Sequence, residues 1–313
     1  MRNRRESAPA IADSRRAHNR PGTESGSALA PATRSETRRI VQELLRNRAA
    51  VIGLIVLILI IIAALTAPLI APYHPHEQNL VEALQSPSGD HLMGTDEFGR
   101  DIFSRILHGA SISLRIGLLA VAVACLIGIP VGLCAAYYQG WLDTISLRLV
   151  DALLAFPDIL LALVVLTILG PSITSVTIGV GVAQIPAFVR LTRASTLTVR
   201  ELDYVSAGHV IGASTRRIIF RHILPNAAAP LIVLASVTVG AAILVGSGLS
   251  FLGLGAQPPT PEWGSMLISS RLYMRDAPWI AIFPGGAIML TVFAINMFGD
   301  GLRDALDARL RIQ

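Results

Sequence analysis

The sequence predicts an all-α membrane protein with six transmembrane helices. Hydrophobic residues make up 52% of the 313-residue chain and charged residues only 15%, with a mean hydropathy of +0.59. A water-soluble domain is not built from that balance. Uncharged apolar runs of about 20 residues, enough to cross a bilayer's hydrocarbon, recur along the chain. The arginines between those runs gather in alternate connections. All 26 basic residues are arginine and none is lysine. A phosphate-binding loop needs its lysine to reach the β- and γ-phosphates, so this chain carries no such ATPase site. Schiff-base chemistry is excluded for the same reason.

Residues 1–37 are rich in Arg, Ser, Ala, Pro and Gly and nearly free of bulky apolar side chains. Such a segment cannot bury enough surface to offset its ordering entropy and reads as a disordered tail. A transit peptide is the competing reading, but Glu6, Asp13, Glu24 and Glu36 and the lack of amphipathic periodicity weigh against it. The late start of the first apolar run, near residue 49, and its length weigh against a secretory signal. Residues 38–108 then hold the first membrane helix, from Ala49 to about Ala71, and a polar, acidic segment. Within that segment Asp101–His108 has the makings of a short interfacial helix. Residues 109–302 hold the other five helices: Leu114–Ala136, Leu147–Leu169, Ser175–Val199, Ala227–Gly253 and Trp279–Gly299. Gly170 and Pro171 punctuate a tight turn between the third and fourth. Residues 303–313 form a basic end. Cys125 and Cys134 lie on one apolar segment about 13 Å apart along a helix, too far to pair, and read as packing residues.

Arginine placement orients these spans. The stretch up to Arg48 carries eleven, the 190–221 region six and the C-terminal end three, with Arg148 beside them. Only Arg100, Arg105, Arg115, Arg271 and Arg275 fall on the other side. By the positive-inside rule both termini and the 200–226 connection are cytoplasmic.

No catalytic motif is present: HExxH, G-x-S-x-G and CxxC are all missing. His74, His76 and Glu77 come nearest to a metal site, but two histidines and a carboxylate without a fourth convergent group read as a solvated loop. Charges at membrane depth usually face a bundle interior or an aqueous path. Arg148 and Asp151, three residues apart on one helix face, can pair; Asp151 either anchors the helix at the interface or faces a pathway. Asp158 follows the kink that Pro157 should impose and either lines a pathway or caps the backbone freed by the proline. The fifth helix is dense in small residues, including Gly246 and Gly248, which read as close packing, with a flexible gate over Gly246–Gly255 as the sharper alternative.

The most charged connection is DYVSAGHVIGASTRRIIFRHILPN, Asp203 to Asn226. Tyr204–Ile211 makes two helical turns, Gly212 breaks them, and Ser214 N-caps a second helix. That second helix sets Ile218, Ile219, Ile223 and Leu224 on one side and Arg216, Arg217 and Arg221 mostly on the other, and Pro225 ends it or opens the next element. From spacing alone, a basic amphipathic loop resting on anionic headgroups is the competing reading. Ala207, Gly212, Ile223, Leu224 and Pro225 sit where the EAA loop of ATP-binding-cassette importer permeases has its alanine, glycine and I-x-LP residues. Ser206 replaces its glutamate and Gly208 its second alanine. DYVSAGHVIGAS with IIFRHILPN, HLMGTDEFGRDIFSR at 91–105, and R-x-x-D-x-x-x-x-FP at Arg148, Asp151, Phe156 and Pro157 together resemble the dipeptide/oligopeptide/nickel permease family over the whole chain outside the tail.

The resemblance implies a type I importer permease fold whose cytoplasmic coupling helix sits in a cleft of an ATPase subunit. It assigns the coupling contact to Tyr204, Ser206, Ala207, Gly208, Gly212, Ala213, Arg217, Ile223, Leu224 and Pro225. It implies a homologous second permease, two ATPase subunits that bind the ATP and Mg, and an external substrate-binding protein facing the 256–278 loop. The chain itself is expected to bind no cofactor, to touch lipid and no nucleic acid, and to catalyse no covalent step. The expected place is the plasma membrane of a bacterium. An ion-coupled secondary transporter or channel is the rival class, but it calls for ionisable pairs or broken helices at mid-membrane and an inverted repeat. Only Asp151 and Asp158 answer the first requirement, and no repeat is visible. A membrane scaffold would leave the 203–226 stretch unexplained. The cargo is not legible, because peptide and nickel importers share these motifs.

Overall fold

The computed structural model describes residues 36–310. The expectation of a disordered tail therefore lies outside the described residues, except that Glu36 already begins a helix, α1 (Glu36–Arg46). Asn47 follows it and caps the first span, α2 (Arg48–Ile70), by accepting from Ala50 N at 3.2 Å. Four further helices are long and apolar enough to cross a membrane: α3 (Ile102–Tyr138), α6 (Ile173–Arg200), α8 (Thr215–Phe251) and α10 (Trp279–Leu310). Two further helices, α4 (Gly140–Leu154) and α5 (Asp158–Leu169), are together apolar enough to count as a sixth, broken span, and they are bent by 94° at the break that holds Pro157.

Three expectations need correction here. The third span is a broken pair, because Pro157 cannot donate into the ladder and the chain turns through a right angle instead of kinking mildly. The interfacial helix expected at Asp101–His108 is the first part of α3, which runs for about 55 Å and so stands clear of the membrane at one end; the boundary at 108 falls inside it. The basic C-terminal end likewise continues α10 to Leu310 without a break.

The long helices pack side by side, with α3 against α6 as the most extensive interface. Gly128 and Gly132 of α3 make it close: a Cβ on either would come within 2.7 Å of Phe188 or Thr192 of α6. The central core joins Ile116, Ala120 and Ala124 to Leu166, Val176, Val180, Phe188 and Leu249. Spans α2 and α10 lean on one another at the side, and α2 keeps Leu59, Ile62 and Leu65 exposed, as a helix facing lipid does.

The bundle has two elaborated ends. At one, the segment between α2 and α3 folds onto the start of α3 and onto α9 (Trp263–Tyr273), a helix that stands where the sequence reading placed a loop; this is the cap. Glu262, fully buried, N-caps α9 through Gly264 N and Ser265 N and also accepts from Ser113 Oγ of α3 at 3.3 Å. At the other end, α6 passes through a short helix, α7 (Asp203–Val210), into α8; this is the elbow.

Candidate functional site

The elbow is two helices joined by the four residues Ile211, Gly212, Ala213 and Ser214, and the turn is made at the glycine. Ile211 N and Ala213 N close the end of α7 by donating to Ala207 O and Gly208 O at 3.1 and 3.0 Å. Gly212 between them has φ +75°, the left-handed region where an L side chain is strained, and a Cβ there would meet nothing within 4 Å. Ser214 then caps α8 by accepting from Arg217 N at 3.4 Å. The helix–glycine–helix reading of the sequence holds. Pro225 stands in the first turn of the α-helical stretch Leu224–Phe251, so it opens an element instead of ending one. Residues Ile218–Ile223 adopt a wider π turn, in which Leu224 N donates to Ile219 O, and α8 runs on through it. Proline has no N–H and its ring crowds the carbonyl four residues back, so a π turn just ahead of it relieves both faults.

Two faces separate cleanly. Val205, Gly208, Ile218, Ile219 and Ile223 are buried, and all but the glycine form a small core with Leu133 of α3, Val199 of α6 and Ala227. Tyr204, Ser206, Ala207, Gly212, Arg216, Arg217, Arg221 and Pro225 are exposed, while Ala213 and Leu224 are half-buried. At the tip, Val210 and Ile211 are 87% and 83% exposed. Residues missed by the sequence reading moor the elbow from the end of α3. The Tyr137 ring stacks on His209 at 6.4 Å, and its hydroxyl lies 3.5 Å from Thr215 Oγ1. Arg200 donates to Ala136 O at 3.1 Å and lies over the Tyr137 ring. A tyrosine pair closing an apolar span was the available signal. Tyr204 adds a hydroxyl bond to His222 O at 3.4 Å.

The expected Arg148–Asp151 pair is not what forms. Asp151 instead accepts from Arg190 of α6 at 2.6 Å, because the break at Pro157 lays α4 across that helix. Asp143 of α4 and Arg193 of α6 make a second, two-pronged pair at 2.6 and 2.7 Å. Asp158 accepts from Gln184 of α6 at 3.1 Å and makes no capping bond. Both Asp151 and Asp158 are exposed on the isolated chain, on the side where α4 and α5 diverge. Gly246 is inside the packed core, where a Cβ would lie 2.9 Å from Ile116 Cγ2, so it lines no open surface; Gly248 has open space around it. No group of three metal-ligating side chains gathers among the described residues.

A bundle of long apolar helices with a moored, outward-facing elbow at one end defines a helical membrane protein of several spans. Residues 128–312 match the family of binding-protein-dependent transport system inner membrane components, and residues 35–87 match the N-terminal transmembrane domain of oligopeptide transport permease C. The chain is 46% identical over 277 residues to the dipeptide transport system permease protein DppC of Alkalihalophilus pseudofirmus, covering 88% of this chain and 91% of that one. It is 45% identical over 283 residues to the di/tripeptide transport system permease protein DppC of Pseudomonas aeruginosa (88% and 93% covered). Against the glutathione transport system permease protein GsiD of Pectobacterium atrosepticum it is 45% identical over 279 residues (89% and 93% covered). Among solved structures, the inward-facing MetNI methionine ABC transporter shares the fold, with a TM-score of 0.55 at 17% identity over 66% of this chain and 97% of that one. The chain belongs to the binding-protein-dependent transport system inner membrane components, in their dipeptide/oligopeptide permease branch. It is a multi-pass permease subunit of an ABC importer and not an enzyme; the family implies an ATPase, a substrate-binding protein and another permease subunit as partners.

Proposed function

We propose that this chain forms half of the pathway of an ATP-driven importer of di- or oligopeptides. A homologous second permease supplies the other half, two ATPase subunits dock at the elbows from the cytoplasm, and a binding protein delivers cargo at the cap. The observation that carries this is the elbow itself. Its inner face is locked to α3 and α6 through Val205, Ile218 and Ile223, while Val210 and Ile211 stand free at its tip. A rigid lever with an uncovered apolar tip suits a partner that pushes on it. Ser206 stands where the family has a glutamate, so the contact here rests on shape and the Ala207 face instead of a carboxylate.

Closure of the ATPase dimer on ATP moves the elbow, and α6 and α8 carry that motion into the bundle. Alternating access results from the shift between inward- and outward-open arrangements. Asp151 and Asp158 line the passage in this reading, since exposed carboxylates at membrane depth are not left against lipid. ATP and Mg stay on the partner subunits, and this chain holds no cofactor. Peptide is favoured over nickel by the names of the relatives and by the lack of a ligating cluster among the described residues.

The test is ATP-dependent uptake into proteoliposomes holding the complete importer with its binding protein. Labelled dipeptide should accumulate and nickel should not. Uptake of nickel alone would overturn the cargo, and ion-driven uptake without ATP would overturn the class. Orientation is checked in parallel with single cysteines at Ser88 and Ser214 in a background lacking Cys125 and Cys134. The first should react with an impermeant maleimide from outside, and the second only after the membrane is opened.

A further inference from the structure

Between α2 and α10, just below the cap, lies a half-open cavity of about 410 Å³. Its walls include Ala63 of α2, Ala110 of α3, Trp263 of α9, and Ile282, Gly286 and Leu290 of α10. Gly286 leaves the space open, because a Cβ there would meet nothing within 4 Å. No charged side chain lines the cavity among the described residues. Its polar side chains already have partners: Trp263 Nε1 donates to Ile106 O at 3.0 Å, and Thr291 Oγ1 to Ala287 O at 2.8 Å. Water settles in a cavity only where polar groups are free to bond it, and these side chains offer none. Ile282 and Leu290, 62% and 48% exposed, stand at the mouth. Leu59 and Ile62, on the lipid-facing side of α2, continue the same apolar surface. The cavity therefore opens where the bundle meets the bilayer.

We propose that this cavity binds one acyl chain of a phospholipid from the leaflet on the cap side. Depth places it there. Helix α10 starts at Trp279 beside the cap, so residues 282–290 lie about 5 to 17 Å into a hydrocarbon core about 30 Å thick. An unfilled pocket leaves its lining without contacts on one side, and a run of methylenes restores them without burying a polar group. Uncharged walls grip the chain and not the headgroup, so the site takes phosphatidylethanolamine and phosphatidylglycerol alike. A peptide cargo is the wrong occupant, because its amides would find no free partner here. The second permease is the weaker one. In the functional reading above it faces Asp151 and Asp158 on α4 and α5, and those helices have α3 and α6 as main neighbours, not α2 or α10. The choice of lipid over that chain rests on this reading.

The test holds the complete importer in nanodiscs of phosphatidylethanolamine and phosphatidylglycerol, doped with either lipid carrying a diazirine on one acyl chain. After irradiation, peptide mass spectrometry reads where the chain has attached. Label is expected on residues 60–63 and 282–290 above the level at Leu65, which is 74% exposed to lipid, and equally from both headgroups. Gly286→Leu puts side-chain atoms where the acyl chain would lie and should cut the wall label about fivefold, with the Leu65 label unchanged. Gly286→Ala adds too little to fill the space and should keep the label, which guards against misfolding as the cause. Wall label no higher than at Leu65, or unmoved by Gly286→Leu, means ordinary boundary lipid and overturns the proposal. Equal loss in both variants overturns it too. Short-range thiol crosslinking of Gly286→Cys to the second permease, in a background lacking Cys125 and Cys134, gives the cavity to that chain and also overturns it. Absence of ATP-driven uptake by the wild-type importer defeats the functional reading and leaves the lipid label to be judged by itself.

Discussion

At the cap, His91, Asp96, Arg100, Asp101 and Arg105 are each no more than 5% exposed, and every one is bonded to another part of the same segment. At the elbow, Ser206, Ala207, Val210, Ile211 and Arg216 face outward, and a single small core under Val205 and Ile218 holds the unit in place. Both ends are short, charged connections between the same long helices. The cap closes its polar groups on themselves, with the second carboxylate oxygen of Glu97 as the exception. The elbow saturates only its inner face and leaves the outer one uncovered. Changes at the cap should therefore cost folding, and changes at the elbow should cost coupling.

Arg105→Ala is expected to produce the largest loss. It removes a buried guanidinium that lies 3.5 Å from Asp96 and donates to the carbonyls of Pro75 and Pro259, and leaves all three short of a donor. Breaking one side of such a network costs about 3–5 kcal/mol. A drop in melting temperature and poor insertion, seen by fluorescence size exclusion, should follow; normal stability would show that the cap is not locked by its charges.

At the elbow the matching change is Ala207→Glu. A carboxylate forced into a closed interface costs several kcal/mol of docking unless it finds a partner. The permease pair should purify at normal yield but without its ATPases, and stimulated ATP hydrolysis should vanish. Stoichiometric ATPase with normal uptake would return the elbow to the basic-loop reading.

Gly212→Val sharpens the comparison. Open space surrounds the position, so the cost within this chain is backbone strain alone, about 1–2 kcal/mol at positive φ. Coupling should fall while the spans stay intact, measured as ATP hydrolysed per peptide transported.

The smallest effect is set by pH. His91 lies between Asp101 Oδ1 at 2.9 Å and Glu82 Oε2 at 3.4 Å. Burial pulls its pKa down, but the bonds to Asp101 and Glu82 outweigh that and leave it above the ordinary 6.5. A raised folded-state pKa stabilises below the unfolded value and is lost as pH rises through the folded one. The cap should therefore melt at lower temperature at pH 8.5 than at pH 6, a difference that His91→Asn should erase. An unchanged pH profile in that variant would place the effect elsewhere.

Much of this was legible in the residues. Uncharged runs marked five of the long helices, because a bilayer demands length and apolarity of each segment separately. The match is within two residues at each end of α2 and α6, while α3, α8 and α10 run on past the apolar stretch at one end. Gly212, Ser214 and the Ile218–Ile223 face foretold the elbow, because a positive-φ turn, a cap and an amphipathic period are local properties. The right-angled break at Pro157 was read as a kink, since a proline tells that a helix is disturbed but not how far the chain turns afterward. Helix α9 was read as a loop, because Glu262 caps it with help from Ser113, 149 residues away in sequence.

By itself the sequence determined which stretches are apolar enough for lipid, which connection folds as a helix–glycine–helix elbow, and that the chain carries no phosphate-binding lysine. Each of these is a property of a short window or of composition. Tertiary structure alone decided that Asp151 pairs with Arg190 instead of Arg148, that Tyr137 and Arg200 moor the elbow, and that Gly246 is core. It also decided that one carboxylate oxygen of Glu97 is left without a partner in a cavity. Those outcomes depend on which distant groups reach one another first once the helices pack, and no spacing along the chain encodes that competition.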